Sequence, residues 1–210
     1  GQGEWRGFAT AWRREAVTAF AADAPVLAAA DITIALGEDC PLRVTREWRI
    51  EDGRLAVRVL LKNGSTQSVE IGALGIPMVF NNVLNRRSLE QAHALCSFYD
   101  PYIGLDAGYL QVTRLSGHGP ALLVTPEPGT PFEAYAPILD ERDRESRQIK
   151  LFNDPTPRGI TFEGFHVWLA HSRAYAEGEW KNARPWNPPS SATLAPGQTR
   201  SYGVRLLVAE

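Results

Sequence analysis

The sequence is short of the residues that make staples and metal cages. Its 210 residues include two cysteines, Cys40 and Cys96, and one methionine. Thiols set so far apart do not have zinc-ligand spacing. They read as ordinary buried thiols, with pairing or a reactive role as the alternatives. A surplus of positive charge is also missing: 22 Lys and Arg face 24 Asp and Glu, for a net charge of -2 at pH 7. Phosphate backbones need clustered basic surface, so nucleic acid is not an expected partner. No apolar run approaches the ~20 residues that span a bilayer, and no membrane partner is expected. Gly1-Gln2-Gly3-Glu4-Trp5 has neither the basic nor the apolar part of a signal peptide. With no initiator Met, the chain reads as a mature chain or a piece of a longer protein.

Chemical motifs are missing as well. The four histidines, His93, His118, His166 and His171, form no HxH or HExxH pair. Period-2 alternation puts His166 and His171 on opposite faces of a strand. Gly117-His118-Gly119-Pro120 reads as a hairpin tip and not as a phosphate cradle. No G-x-S-x-G elbow occurs. Neither a metal nor a cofactor is expected.

What is present is strand. Hydrophobic residues make up 44% of the chain, and a globule of this mass hides roughly 70% of its unfolded surface. Leu42, Val44, Trp48 and Ile50 share one face of a predicted strand, with Arg43, Thr45, Glu47 and Arg49 on the other. Glu51-Asp52-Gly53 supplies a turn. Leu55, Val57, Val59 and Leu61 continue the pattern, Asn63-Gly64 turns again, and Ser68 to Leu74 gives a third run, together an antiparallel meander. Further strands are predicted at Tyr109–Leu115, Ala121–Thr125, Ile160–Ser172 and Ser201–Ala209. The strand at 160–172 carries large apolar groups on both faces, as a doubly covered strand does. Ser88-Leu89-Glu90-Gln91 has capping-box spacing and opens a short helix over 88 to about 98, a lid over one sheet, which Pro101 cannot continue. The first 30 residues read as strands with a connector. Asp140 to Arg147 alternates in sign and reads as a solvated face. The fold class that follows is mainly β, a two-layer antiparallel β-sandwich with one short helix, in a single domain over 1–210.

Carboxylates for glycoside chemistry, which acts through a pair roughly 5–10 Å apart, are available: Asp100 and Asp106 near Tyr99 and Tyr102, and Glu133, Glu163, Glu177 and Glu179. The sequence does not show which converge. Asp100 and Asp106 also suit turns, and Glu163 suits a cross-strand ion pair. The densest cluster of recognition side chains is Tyr175 to Ser191. Tyr175, Trp180 and Trp186 stand there among Lys181, Asn182, Arg184 and Asn187. Sugars lay apolar CH faces on aromatic rings while amides and guanidinium groups bond hydroxyls. The candidate substrate-binding residues are therefore Tyr175, Trp180, Asn182, Trp186 and Asn187. The same rings serve equally to fasten a Pro-rich loop to the sheet or to face another domain.

Several long stretches resemble a known family. They are Val69-Glu70-Ile71-Gly72-Ala73-Leu74-Gly75-Ile76-Pro77, Leu105-Asp106-Ala107-Gly108-Tyr109-Leu110-Gln111-Val112-Thr113-Arg114, His171-Ser172-Arg173-Ala174-Tyr175-Ala176-Glu177, Pro185-Trp186-Asn187-Pro188-Pro189 and Leu194-Ala195-Pro196-Gly197-Gln198-Thr199-Arg200-Ser201-Tyr202-Gly203. They are similar to the N-terminal sandwich region of large six-hairpin-glycosidase-like proteins of unknown function. The resemblance implies a galactose-mutarotase-like supersandwich followed by an (α/α)6 barrel that supplies the catalytic carboxylates, with Glu210 near the start of the linker. It implies a secreted or periplasmic protein with carbohydrate and the C-terminal helical barrel as partners. On this reading the chain is a non-catalytic module of a glycoside hydrolase-like protein. The alternatives are a free-standing carbohydrate-binding module, or a sugar epimerase or lyase in which His166 meets Glu133 in a cleft.

Overall fold

A computed structural model describes residues 4–9, 15–82, 84, 86–137 and 166–209. Asp140–Arg147, Glu163 and the first part of the strand expected over 160–172 lie outside the described residues. Within them lie 13 strands and two α-helices.

The large layer is an eight-stranded antiparallel sheet in the order β1-β2-β3-β4-β13-β9-β8-β7. Its strands are β1 (Thr18–Phe20), β2 (Val26–Asp31), β3 (Leu42–Glu51), β4 (Arg54–Asn63), β7 (Ser97–Tyr102), β8 (Tyr109–Arg114), β9 (Ala121–Pro126) and β13 (Thr199–Ala209). Two small sheets form the second layer. One orders β10 (Ala134–Pro137), β11 (His166–His171) and β6 (Leu74–Met78); the other pairs β12 (Ala192–Leu194) with β5 (Val69–Ile71). Val44, Leu61, Leu110, Val124 and Val204 of the large sheet pack with Ile71, Ile76, Met78, Trp168 and Leu194 of the small ones in a single core. This is the expected β-sandwich.

The β3–β4 hairpin forms at the Asp52-Gly53 turn, where both residues take positive φ. The meander ends there, and the third run corrects the expectation. Buried Asn63 donates its amide to the carbonyls of Gln67 (2.7 Å) and Leu194 (2.9 Å) and accepts from the Ser65 backbone (2.9 Å). That clamp hands the chain to the second layer, so β5 pairs with β12 and the place beside β4 is taken by β13.

Helix α1 (Leu89–Leu95) carries the full capping box, with Ser88 accepting from the Gln91 backbone and Gln91 from the Ser88 backbone. It ends at Cys96 and covers little. Leu89 is 85% and Leu95 56% exposed, and of the apolar residues at helical spacing, Leu89, Ala92, Leu95 and Cys96, only Cys96 is buried. Residues assigned to its last turn instead open β7. Pro101 is tolerated there because β7 is an edge strand, and Pro77 sits on the edge strand β6 for the same reason.

On the outer face of the large sheet, Glu127 is nearly buried and receives Arg58 through both carboxylate oxygens, at 2.6 and 3.0 Å. Arg58 also donates to Glu51 at 2.8 Å. Gly203 lies under this pair: a Cβ there would come within 2.8 Å of the Glu127 carboxyl carbon and 3.0 Å of Arg58 Cγ. Gly203→Ala should therefore lower stability by about 2 kcal/mol through crowding of a well-packed site. Urea unfolding measures this, and a loss under about 0.5 kcal/mol would show that the carboxylate moves aside freely.

Candidate functional site

The second layer builds the site. After β11 the chain forms a short helix, α2 (Arg173–Glu177), and then a series of tight turns. Tyr175, expected in an irregular loop, is therefore on the helix. The Trp180 backbone N–H returns to the Tyr175 carbonyl at 2.7 Å, and the two rings stack with centroids 4.6 Å apart at 24°. Beyond them Asn187 donates its side-chain amide to two successive carbonyls, Phe132 (3.2 Å) and Glu133 (3.0 Å). The Pro185–Pro189 stretch is thus fixed at one point, and Trp186 projects from it 88% exposed.

Between this loop and β10 lies a cavity of about 290 Å³ whose lining includes Ile103, Glu133, Tyr135, Trp180, Lys181 and Trp186. Two of the expected residues, Trp180 and Trp186, line it, while Tyr175 does not and is tied to it through its stack on Trp180. Asn182 is exposed on the same loop but does not line the cavity. Asn187 has its amide committed to backbone. Of the described carboxylates, Glu133 alone lines it. Asp100 is exposed within β7, Asp106 lies in the turn before β8, and Glu177 binds Arg173 (2.7 Å) and the Trp5 indole N–H (2.7 Å).

Glu133 anchors the loop. It sits at the entry to β10, nearly inaccessible, and accepts from Ser172 Oγ (2.7 Å), the Ser190 backbone N–H (3.1 Å) and Ser190 Oγ. His171 joins with Nδ1 2.7 Å from Ser190 Oγ and Nε2 2.7 Å from the Tyr202 hydroxyl. Because Ser190 gives its only proton to the carboxylate, it accepts from His171 Nδ1–H, and Nε2 accepts from Tyr202. The order runs opposite to a nucleophilic triad, where the histidine takes the serine proton. Every group is satisfied, and the set locks the loop to the sheet. No local motif signals it, since Glu133 lies 39 positions from Ser172 and 57 from Ser190.

His166 enters a different cluster. Its Nδ1 meets the Tyr99 hydroxyl, which also accepts from the Asn82 amide at 2.7 Å, and its ring stacks on Tyr135 at 5.3 Å and 6°. The imagined pairing of His166 with Glu133 is not formed, because each has other partners. The expected opposite facing of His166 and His171 also fails. A register shift between Leu169 and His171 breaks the alternation, and both rings reach tyrosine hydroxyls of the large sheet.

Burial holds both imidazoles below the ordinary histidine range, and pushes the Tyr99 and Tyr202 hydroxyls up to about 12. For His171 the neighbouring Glu133 opposes the burial effect and Arg200 adds to it. The folded protein therefore keeps both rings neutral where the unfolded chain, near 6.5, protonates them. The unfolded state binds more protons, so stability falls as pH drops below about 6.5, by at most about 1.4 kcal/mol per pH unit for each ring. Urea midpoints between pH 7.5 and 5.5 should show that slope, and His166→Phe should reduce it. A flat profile in both proteins contradicts neutral burial.

A larger depression, about 430 Å³, lies beside the 3₁₀ turn Thr33–Leu36 and is lined by Thr33, Cys40 and Arg43 among others. Neither Cys40 nor Cys96 is in a disulfide, and Cys96 accepts from the Arg87 guanidinium at 2.8 Å. Burial pushes the Cys40 thiol up, which makes it a weak nucleophile.

Comparison with known proteins gives the chain its kinship. All of residues 1–210 match a family of unknown function, DUF5695. The chain belongs to this family. Among solved structures it is similar to a polysaccharide lyase, at 14% identity and a TM-score of 0.53, over 81% of this chain and 20% of the lyase chain. At that identity the likeness is one of fold, and the chain spans about a fifth of the lyase's length. No curated protein matches.

Proposed function

We propose that this member of the DUF5695 family is a non-catalytic β-sandwich module of a carbohydrate-active protein. It binds polysaccharide in the cleft between β10 and the Trp180–Trp186 loop. One observation carries the reading: an indole 88% exposed, on a backbone fixed by Asn187 and Ser190, at the mouth of a cavity that also holds Trp180 and Tyr135. A large ring kept in water at a rigid site suits stacking on a flat apolar face, which a sugar ring supplies. The fold of the polysaccharide lyase lends support.

The second part of the proposal is a buttress for a helical catalytic domain. Trp48 (37% exposed), Ile50 (40%) and Val208 (69%) pair across the large sheet with Val57, Leu55 and Leu122, of which Val57 and Leu122 pack against the core. They extend its apolar face past the cover of the second layer, as a domain contact would require. A free-standing carbohydrate-binding module is the second reading, and the cleft supports it equally.

The test is glycan-array binding with Trp186→Ala alongside. Trp186 is the better probe than Trp180, because its exposure makes truncation harmless to the fold. Binding should fall about 10-fold or more, the loss that follows when a stacking anchor is removed. Full binding by the variant, or none by the wild type, would overturn the cleft assignment.

A further inference from the structure

Charge around the cleft is lopsided once internal pairing is counted. The Glu133 carboxylate is spent on Ser172 and Ser190. Glu177 is spent on Arg173 and Trp5, and Glu179 also has a partner. Lys181 lines the cavity between the two indoles, and Arg184 is exposed one short turn further on. Among the described residues neither cation has an ion-pair partner. Among the described residues the aromatic loop therefore carries two cations with no ion-pair partner, Lys181 on the cavity lining and Arg184 next to the lining residues Ala183 and Pro185, and no carboxylate that lacks a partner.

This is local, because the chain as a whole carries a net charge of -2. General attraction of polyanions to the protein surface does not explain it. A cation beside a stacking ring can meet an anionic substituent of the sugar held on that ring, where a water-poor apolar wall strengthens the contact. Arg184 adds a fork that suits a carboxylate or sulfate.

Resting on the polysaccharide reading above, we infer that the cleft selects anionic glycans, chains whose sugars carry carboxylate or sulfate groups, with Lys181 and Arg184 as the specificity residues. A carboxylate offers two coplanar oxygens and a sulfate ester three pyramidal ones, but both are anionic acceptors that a Lys–Arg pair can bind, so the chemistry is shared.

The experiment is affinity electrophoresis of the 210-residue chain through gels holding polygalacturonate, dextran sulfate or neutral dextran. Trp186→Ala, Lys181→Gln, the Lys181→Gln/Arg184→Gln double variant and Lys181→Arg run beside it. Either or both acidic polymers should retard the wild type at least about 5-fold more tightly than dextran, and the retention should weaken in about 0.5 M salt as screening sets in. Which acidic gel retards it names the group. The double variant should lose most of that preference while keeping any neutral binding, and Lys181→Arg, which keeps the charge, should retain it. Equal retention by neutral and acidic gels, sensitive to Trp186→Ala, would leave the cleft standing and overturn the charge selectivity. Acidic binding unchanged in the double variant would also overturn it. No retention by any gel would overturn both readings.

Discussion

Trp168→Ala should cost about 4 kcal/mol of unfolding free energy, the upper part of the range for losing a large aromatic from a packed core. Trp168 is fully buried in β11 and stacks on Phe132 with centroids 3.7 Å apart at 12°. Its indole N–H donates to the Pro131 carbonyl at 2.9 Å. Truncation opens a void between the layers and also strips that carbonyl of its donor. Phe132 in turn presses on the turn before β8, where a Cβ on Gly108 would come within 2.8 Å of its ring. The void therefore has little freedom to collapse, which is the condition for a high cost. Trp168→Phe keeps most of the stack and should lose well under half as much. Urea unfolding at pH 7.5 measures both, and a loss below about 1.5 kcal/mol for Trp168→Ala would mean that the layers close over the gap.

Glu133→Ala should be the second most damaging change, at about 3 kcal/mol, because it orphans three donors at once in a dry site. Ser172 Oγ, Ser190 Oγ and the Ser190 backbone N–H all lose their acceptor, and His171 loses the partner that orders Ser190. The loop should come loose along with the stability. Limited trypsin digestion after Lys181, under conditions where the rest of the domain stays folded, should be faster in the variant; Arg184 precedes Pro185 and is not a cleavage site. Glycan binding through Trp186 should weaken too, although Glu133 is an anchor of the loop and not a ligand group. Unchanged digestion would show that Asn187 alone holds the loop.

Much of the large sheet was legible because half-buried strands write their burial into a period of two. β3, β4, β8, β9 and β13 all appear within a residue or two of their predicted limits. The α1 start was legible because a capping box is local chemistry. Other elements were hidden for identifiable reasons. β5 leaves the meander because of an Asn63 amide that reaches a carbonyl 131 positions away. β7 was obscured by a proline that only an edge position permits. The same-face placement of the two histidines depends on a bulge that no alternation rule contains.

At the site, composition alone pointed to Tyr175, Trp180 and Trp186, since aromatics at that density in a loop are unusual. The fate of Asn187 was beyond reach. An amide next to two indoles looks like a sugar ligand, yet its partners are carbonyls 54 and 55 positions upstream. Glu133 reads as one acidic residue among many, and its importance exists only through the three donors that the fold delivers to it.

The place of β13 has a consequence for how the chain is made. It is the last of the described strands in sequence, yet it occupies the middle of the eight-stranded sheet, bonded to β4 on one side and β9 on the other. Until residues 199–209 leave the ribosome, β4 and β9 each lack the neighbour that the finished sheet gives them. Their open edges are templates for wrong pairings, and the closing step joins segments far apart in sequence, which is slow. The sheet therefore closes only when its last described strand is made, and a chain cut short before residue 199 should aggregate where the full chain does not.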